Sequence, residues 1–198
     1  MKLYWYPRTR ASRAVWMLEE AGLEYERVHL NLTDPDYSPS PEFLAASPMG
    51  KVPALEDGPA RLADSAAICL YIADRYAPGA LAPATDHPDR GRFLYWMFFA
   101  PGAMEPAMAE KIGGWQPNRR AHGWGDFDTM IHTLETGLAT GPWLMGDTFT
   151  AADVMVGSTA AFMKMFDLMP GSDSIEAYLE RCLARPAYVK AREIDAAA

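Results

Sequence analysis

The sequence predicts an α/β domain in β-α-β-α-β-β-α order over residues 1–78, followed by an all-α helical bundle over residues 88–198. Three observations carry this. Apolar residues switch between strand and helix periods through the first segment, a run of Ala, Pro, Gly, Thr and Asp over residues 79–87 reads as a linker, and every apolar stripe beyond it has helical spacing. The first strand is Leu3-Tyr4-Trp5-Tyr6. Ala11, Ala14, Val15 and Leu18 then recur at helical spacing, and Gly22 stands where a helix C-cap needs a left-handed residue. Leu23, Tyr25, Val28 and Leu30 form a second strand, and a strand-helix-strand crossover implies that it runs parallel to the first. A Pro/Asp/Ser-rich loop from Thr33 to Pro41 leads into a short helix. Val52 to Glu56, Asp57-Gly58, and Ala60 to Ala63 predict a hairpin. Pro53 cannot donate to a ladder, which leaves an edge, a strand start or a cis bond that turns the chain sharply; we read the cis bond. A helix near Asp64, with Ile68, Cys69, Ile72 and Tyr76 on one face, closes the first domain.

In the second half, residues 88–113 predict a long helix kinked at Pro101-Gly102 and Pro106, where prolines remove interior hydrogen bonds. Phe127, Met130, Ile131, Leu134 and Leu138 mark the next helix, which stops at Gly141-Pro142. Thr150-Ala151-Ala152-Asp153 has the form of a capping box, with Phe149 and Val154 placed as a hydrophobic staple, so Asp153 is assigned to folding rather than catalysis. Ile175, Tyr178, Leu179, Cys182 and Leu183 mark the last predicted helix, ahead of Pro186.

Composition narrows the function classes. At 49% hydrophobic and 22% charged residues, the chain falls in the range of soluble globular domains. A net charge of −8, from 18 Lys+Arg against 26 Asp+Glu, argues against nucleic acid and anionic membranes as partners, because both attract clustered positive charge. No run approaches the ~20 apolar residues of a membrane span, and the amino terminus lacks a signal-peptide layout. Cys69 and Cys182 sit far apart in apolar helical patterns, which predicts two buried, reduced thiols and a cytoplasmic setting. His29, His87, His122 and His132 have no ligand-like spacing, so no metal is expected.

Four separated segments carry a resemblance: Tyr6 to Arg13, Gly50 to Pro53, Asp64-Ser65, and Trp143 to Asp153. In this order and spacing the chain resembles the soluble glutathione transferase family over essentially its whole length. The resemblance implies a thioredoxin-like domain followed by an all-helical one, glutathione as co-substrate, a homodimer in the cytoplasm, and a role in detoxification. Physically, a parallel strand feeding a helix brings the helix N-terminus to the sheet edge, where backbone N–H groups and the helix dipole favour an anion such as a thiolate. Aligned with theta- and delta-like members, Thr9 takes the place of the catalytic serine, and Arg10 fills the place of the beta-like cysteine, so mixed-disulfide chemistry is not expected. One hydroxyl hydrogen bond could lower a thiol pKa of ~8.5 by about one to two units. Arg10 could assist by charge if it points inward, and Ser12 is the other hydroxyl in range unless it N-caps the helix. Arg8 and Arg13 are expected to be solvated.

The resemblance also implies that Val52, ahead of Pro53, pairs main chain to main chain with the cysteinyl part of glutathione, as in strand addition. Lys51 would meet the glycine carboxylate unless it is an ordinary surface lysine. Ser65 would take the γ-glutamyl carboxylate at a helix N-terminus, and Asp64, where many relatives have glutamate, would sit near the ammonium or cap the helix. Tyr95, Trp96, Phe98, Phe99, Met104 and Met108, with Trp115 and Trp124, make the helical half aromatic and Met-rich. Core packing accounts for about half of such a stripe. The family places an electrophile pocket on this helix, which points to Phe98, Phe99 and Met104 as pocket residues and Trp115 as a lid, with hydrophobic electrophiles as substrates. The expected activity is conjugation of the glutathione thiolate to such an electrophile. The alternatives are a glutathione-dependent isomerase, dehalogenase or ether-cleaving enzyme of the same family, or a non-catalytic binding protein on the same fold.

Overall fold

A computed structural model describes residues 1–198. Contacts divide the chain into two compact units: Met1–Ala77 with Arg185–Ala198, and Pro78–Ala184.

The first unit holds a sheet of four strands, β1 (Lys2–Trp5), β2 (Glu26–His29), β3 (Ala54–Asp57) and β4 (Ala60–Ala63), in the order β2-β1-β3-β4. β1 and β2 run parallel, as the crossover requires, and β3 is antiparallel to both β1 and β4. Side chains alternate across the sheet. Tyr4, Leu30 and Ala54 pack with Phe43 and Ala46 of α2 (Pro41–Ala46), whereas the paired Leu3 and Leu55, one residue along each strand and so on the other face, are fully buried. α1 (Ala11–Glu20) and α3 (Ser65–Tyr76) supply Ala14, Val15, Leu18, Ile68 and Ile72 to the core. α1 ends where Gly22 takes φ 64° and the Leu23 N–H reaches back to the Leu18 carbonyl at 3.1 Å.

The second unit is all helical: α4 (Arg90–Phe99), α5 (Glu105–Gly113), α6 (Phe127–Leu138), α7 (Ala151–Met165) and α8 (Asp173–Leu183). The disturbance expected at Pro101-Gly102 takes the form of a π turn over Ala100–Met104 between α4 and α5, which absorbs the missing proline N–H without ending the helical run. α7 is buried along most of its length and starts at the Thr150/Asp153 capping box. No helix is long and apolar enough to cross a membrane.

Two differences from the sequence reading stand out. A ninth helix, α9 (Pro186–Ala196), follows Pro186, and it belongs with the first unit rather than with the expected 88–198 bundle. Its contacts explain this: Arg185 donates to Glu20 through Nε at 2.6 Å and Nη2 at 2.7 Å, Lys190 binds Glu19 at 2.6 Å, and Tyr188 stacks edge-on against Trp16. Arg13, expected to be solvated, is instead buried on α1 at 1% exposure; Arg8 is exposed as expected.

Candidate active site

Strand register brings three separate segments to one edge of the sheet. Tyr4 pairs with Ala54, so the chain leaving β1 at Tyr6 runs beside the Val52-Pro53 turn that enters β3. Ala54 in turn pairs with Ala63, which places Asp64 and the start of α3 beside the same turn. A further contact joins α3 to the first loop: the Ser65 hydroxyl donates to the Arg10 carbonyl at 3.5 Å.

The loop between β1 and α1 is closed by its own hydrogen bonds. Thr9 is half-buried; its hydroxyl donates to the Tyr6 carbonyl at 2.6 Å and accepts the Ala11 N–H at 3.2 Å. Ser12 lies inside α1 rather than at its N-cap. Its N–H and its hydroxyl both donate to the Thr9 carbonyl, at 3.2 and 2.9 Å. Arg10 is the exposed N-cap residue of α1. The first turn of α1 therefore spends its donors locally, and the Thr9 hydroxyl accepts the N–H of Ala11, the first residue of the helix.

The Val52–Pro53 bond is cis. Strand β3 begins at Ala54, so the half-buried Val52 lies outside its ladder. The loop ahead of it is held by Ser47, 1% exposed, whose hydroxyl donates to the Lys51 carbonyl at 2.8 Å and accepts the Lys51 N–H at 2.9 Å. The Lys51 side chain is exposed. At the start of α3, Asp64 adopts φ 79° and its Oδ1 accepts the Ala66 and Ala67 N–H groups at 2.8 and 3.3 Å. Asp64 thus caps the helix as the sequence allowed, and its exposed carboxylate gives this corner a negative charge suited to an ammonium. Ser65 is buried beneath it.

In the helical unit, a cavity of about 340 Å³ is lined by Phe98, Phe99, Gly102 and Trp124, among others. Phe98 is half exposed and Phe99 is nearly buried. Met104 is fully buried in the core, and Trp115 is exposed; neither lines this cavity, whereas Trp124 does. Both cysteines are free and buried, and burial pushes the Cys69 thiol up to about 12, which leaves it inert as a nucleophile.

A family model described as the N-terminal domain of glutathione S-transferase matches residues 1–74, and one described as the C-terminal domain matches residues 117–184. Glutathione S-transferase 3 of Zea mays is 30% identical across 96% of this chain and 92% of its own length. The chain belongs to the glutathione S-transferase family. Among solved structures of glutathione transferases, the one from Methylococcus capsulatus aligns with TM-score 0.79 and 29% identity over 100% of this chain and 99% of its own. A sphingomonad glutathione S-transferase complexed with glutathione aligns with TM-score 0.80 and 26% identity, covering 100% of both chains. The thioredoxin-like and all-helical architecture is that of the family.

Two residues of this glutathione S-transferase family member lay outside the sequence reading. Ser47 holds the Lys51 loop through bonds to main chain four residues on, a pattern with no motif beyond a serine after a short helix. Asp195 accepts the Arg8 N–H from 187 residues away, and α9 lies beyond both matched segments.

Proposed function

We propose that the protein binds glutathione at the sheet edge of its first unit and transfers the glutathione thiolate to a hydrophobic electrophile. The observation that supports this best is the register that aligns Tyr6–Arg10, Val52-Pro53 and Asp64-Ser65 along one edge. An extended tripeptide can meet all three. Val52 offers main chain outside the ladder, Asp64 offers a carboxylate to the γ-glutamyl ammonium, Ser65 offers its hydroxyl to the γ-glutamyl carboxylate, and Lys51 reaches the glycine carboxylate.

Thr9 is the donor to sulfur in this reading. Its proton now faces the Tyr6 carbonyl, and giving that bond up costs about 0.5–1.5 kcal/mol, against about 1.5–3 kcal/mol for a bond to a charged thiolate. The balance favours the thiolate and lowers its pKa by about one unit, since one unit corresponds to about 1.4 kcal/mol. The thiolate sulfur then attacks an electrophilic carbon; the C–S bond forms as the leaving group departs with its electron pair, and the thiol proton goes to solvent. Phe98 and Phe99, which line the cavity in the helical unit, supply apolar surface for the second substrate. Isomerase, dehalogenase and ether-cleaving variants use the same thiolate on other electrophiles. Work as a cytoplasmic homodimer in detoxification completes the proposal.

The engaged Thr9 proton favours one second reading, a protein that binds glutathione without turnover. Calorimetric titration with reduced glutathione tests the shared part, with one saturable site per chain expected. Turnover of a broad electrophile panel then separates the two. Thr9→Ala is expected to raise the pKa seen in the pH–rate profile by about one unit. An unchanged profile removes Thr9 from the chemistry, and no binding at millimolar glutathione removes the site.

A further inference from the structure

One buried carboxylate reaches the Thr9 loop from the far end of the chain. Asp195, in the last turn of α9, is 4% exposed, and its Oδ2 accepts the Arg8 N–H at 3.0 Å. Arg8 carries φ 55°, a left-handed backbone that non-glycine residues adopt only where their surroundings impose it. Thr9 follows directly, so the direction in which its hydroxyl points depends on how this turn is held.

The bonds among Tyr6, Thr9, Ala11 and Ser12 set the internal shape of the loop. Its placement on the unit relies on contacts from other elements. The Ser65 hydroxyl meets the Arg10 carbonyl at 3.5 Å, the limit of a hydrogen bond, whereas the Asp195 contact is shorter and carries charge. Docking of α9 on α1 has its own fastenings in Arg185–Glu20, Lys190–Glu19 and Tyr188–Trp16. Asp195 is ill suited to that task. Its Oδ1 is buried without a hydrogen-bond partner, and its one ion pair is to the exposed Arg192 at 3.6 Å. A half-satisfied buried carboxylate costs stability where an apolar residue would not.

We propose that Asp195 is a positioning residue of the glutathione site: by holding the Arg8 N–H it sets the direction from which Thr9 presents its hydroxyl. The proposal rests on the reading of Thr9 as donor to the thiolate.

The test compares wild type with Asp195→Ala, Asp195→Asn, Thr9→Ala and the Thr9→Ala/Asp195→Ala double variant. Three quantities are measured: hydrogen exchange at the Arg8 amide in ligand-free protein, the pKa of bound glutathione from its thiolate absorbance, and kcat and KM. Asp195→Ala is expected to expose the Arg8 amide to exchange, raise the bound thiol pKa and lower kcat by about tenfold to a hundredfold, with little change in KM for glutathione. Asp195→Asn keeps an acceptor oxygen and restores most of all three. In the Thr9→Ala background, Asp195→Ala lowers kcat no further. An Asp195→Ala enzyme with unchanged thiol pKa and kcat, where Thr9→Ala shifts both, overturns the positioning role and leaves Thr9 standing. Equal losses from Asp195→Ala in both backgrounds also overturn it, as a general structural loss. If Thr9→Ala itself shifts nothing, the Thr9 reading falls and this proposal falls with it. Should the alanine variant not fold, Asp195→Ser, whose shorter, uncharged side chain sets its oxygen back from the Arg8 N–H, carries the same comparisons.

Discussion

Asp153 opens α7 with a carboxylate that no solvent reaches, accepting from the Leu144 N–H at 3.0 Å, the Thr150 N–H at 2.9 Å, the Thr150 hydroxyl at 3.2 Å and the Tyr178 hydroxyl at 3.1 Å. Removing it strands at least three buried donors, each worth about 1–3 kcal/mol, so Asp153→Ala is expected to cost about 3–5 kcal/mol in urea unfolding. Burial outweighs these donors in setting its ionisation and pushes its pKa from 3.8 up to about 6. A raised folded-state pKa means that the native protein holds the proton longer than the unfolded chain. The group's contribution is therefore fully present below pH 4 and is lost as pH rises through 6, a change of about 3 kcal/mol. Asp153→Asn has no such proton, so the stability advantage of wild type over this variant is expected to shrink between pH 4 and pH 7. A gap that does not vary with pH would contradict the raised pKa. The same side chain shows how far a motif can be read: Thr150-Ala151-Ala152-Asp153 announced the helix start, while the Tyr178 and Leu144 bonds appear only once α8 and the preceding turn are packed around it.

Elements were legible where local chemistry and burial agree. The α1 stripe with Gly22, the Asp57-Gly58 hairpin and the capping box of α7 each combine a local signal with a buried face, and each stands within a few residues of its expected place. β2 is shorter than the Leu23–Leu30 reading because most of its residues face solvent and give no alternation to mark its ends. α9 escaped because its buried residues are Ala191 and Asp195, which make no apolar stripe. Close approach between helices was equally invisible. A Cβ built on Gly137 of α6 would lie 2.1 Å from the Trp96 ring of α4, a ring already packed against Tyr95 and Phe99. Gly137→Ala must move that indole and is expected to destabilise by about 1–3 kcal/mol, or about 2–4 °C in Tm for each kcal/mol. Gly102→Ala, with no neighbour within 4 Å, is its control: a neutral or slightly stabilising effect is expected from helix propensity. Equal losses at the two positions would show that backbone conformation, not the α4–α6 approach, sets the cost.

At the scale of the whole chain, the matched family segments end at 74 and 184, yet the first unit is completed by residues 185–198. The candidate site divides in the same way: Thr9, Val52, Asp64 and Ser65 sit in compact local motifs, whereas Asp195 meets the Arg8 N–H through a contact that only the folded chain creates. Physically, α9 covers the outer face of α1. It keeps Trp16 at 1% exposure and gives Glu19 and Glu20, whose side chains are 8% and 5% exposed, their cationic partners. Deleting residues 185–198 exposes the indole and leaves two carboxylates without those partners in a surface built to have them covered. The deleted chain is expected to lose hydrogen-exchange protection across Ala11–Glu20 while Ala151–Met165, in the other unit, keeps its protection. Arg185→Ala, which removes the paired bonds to Glu20, is expected to cost about 1–3 kcal/mol and to loosen α1 less than the deletion does. If the deletion leaves α1 fully protected, α9 is dispensable to the first unit. If protection falls throughout both units at once, the chain unfolds as one cooperative body, and the contact-based division does not mark separate stability.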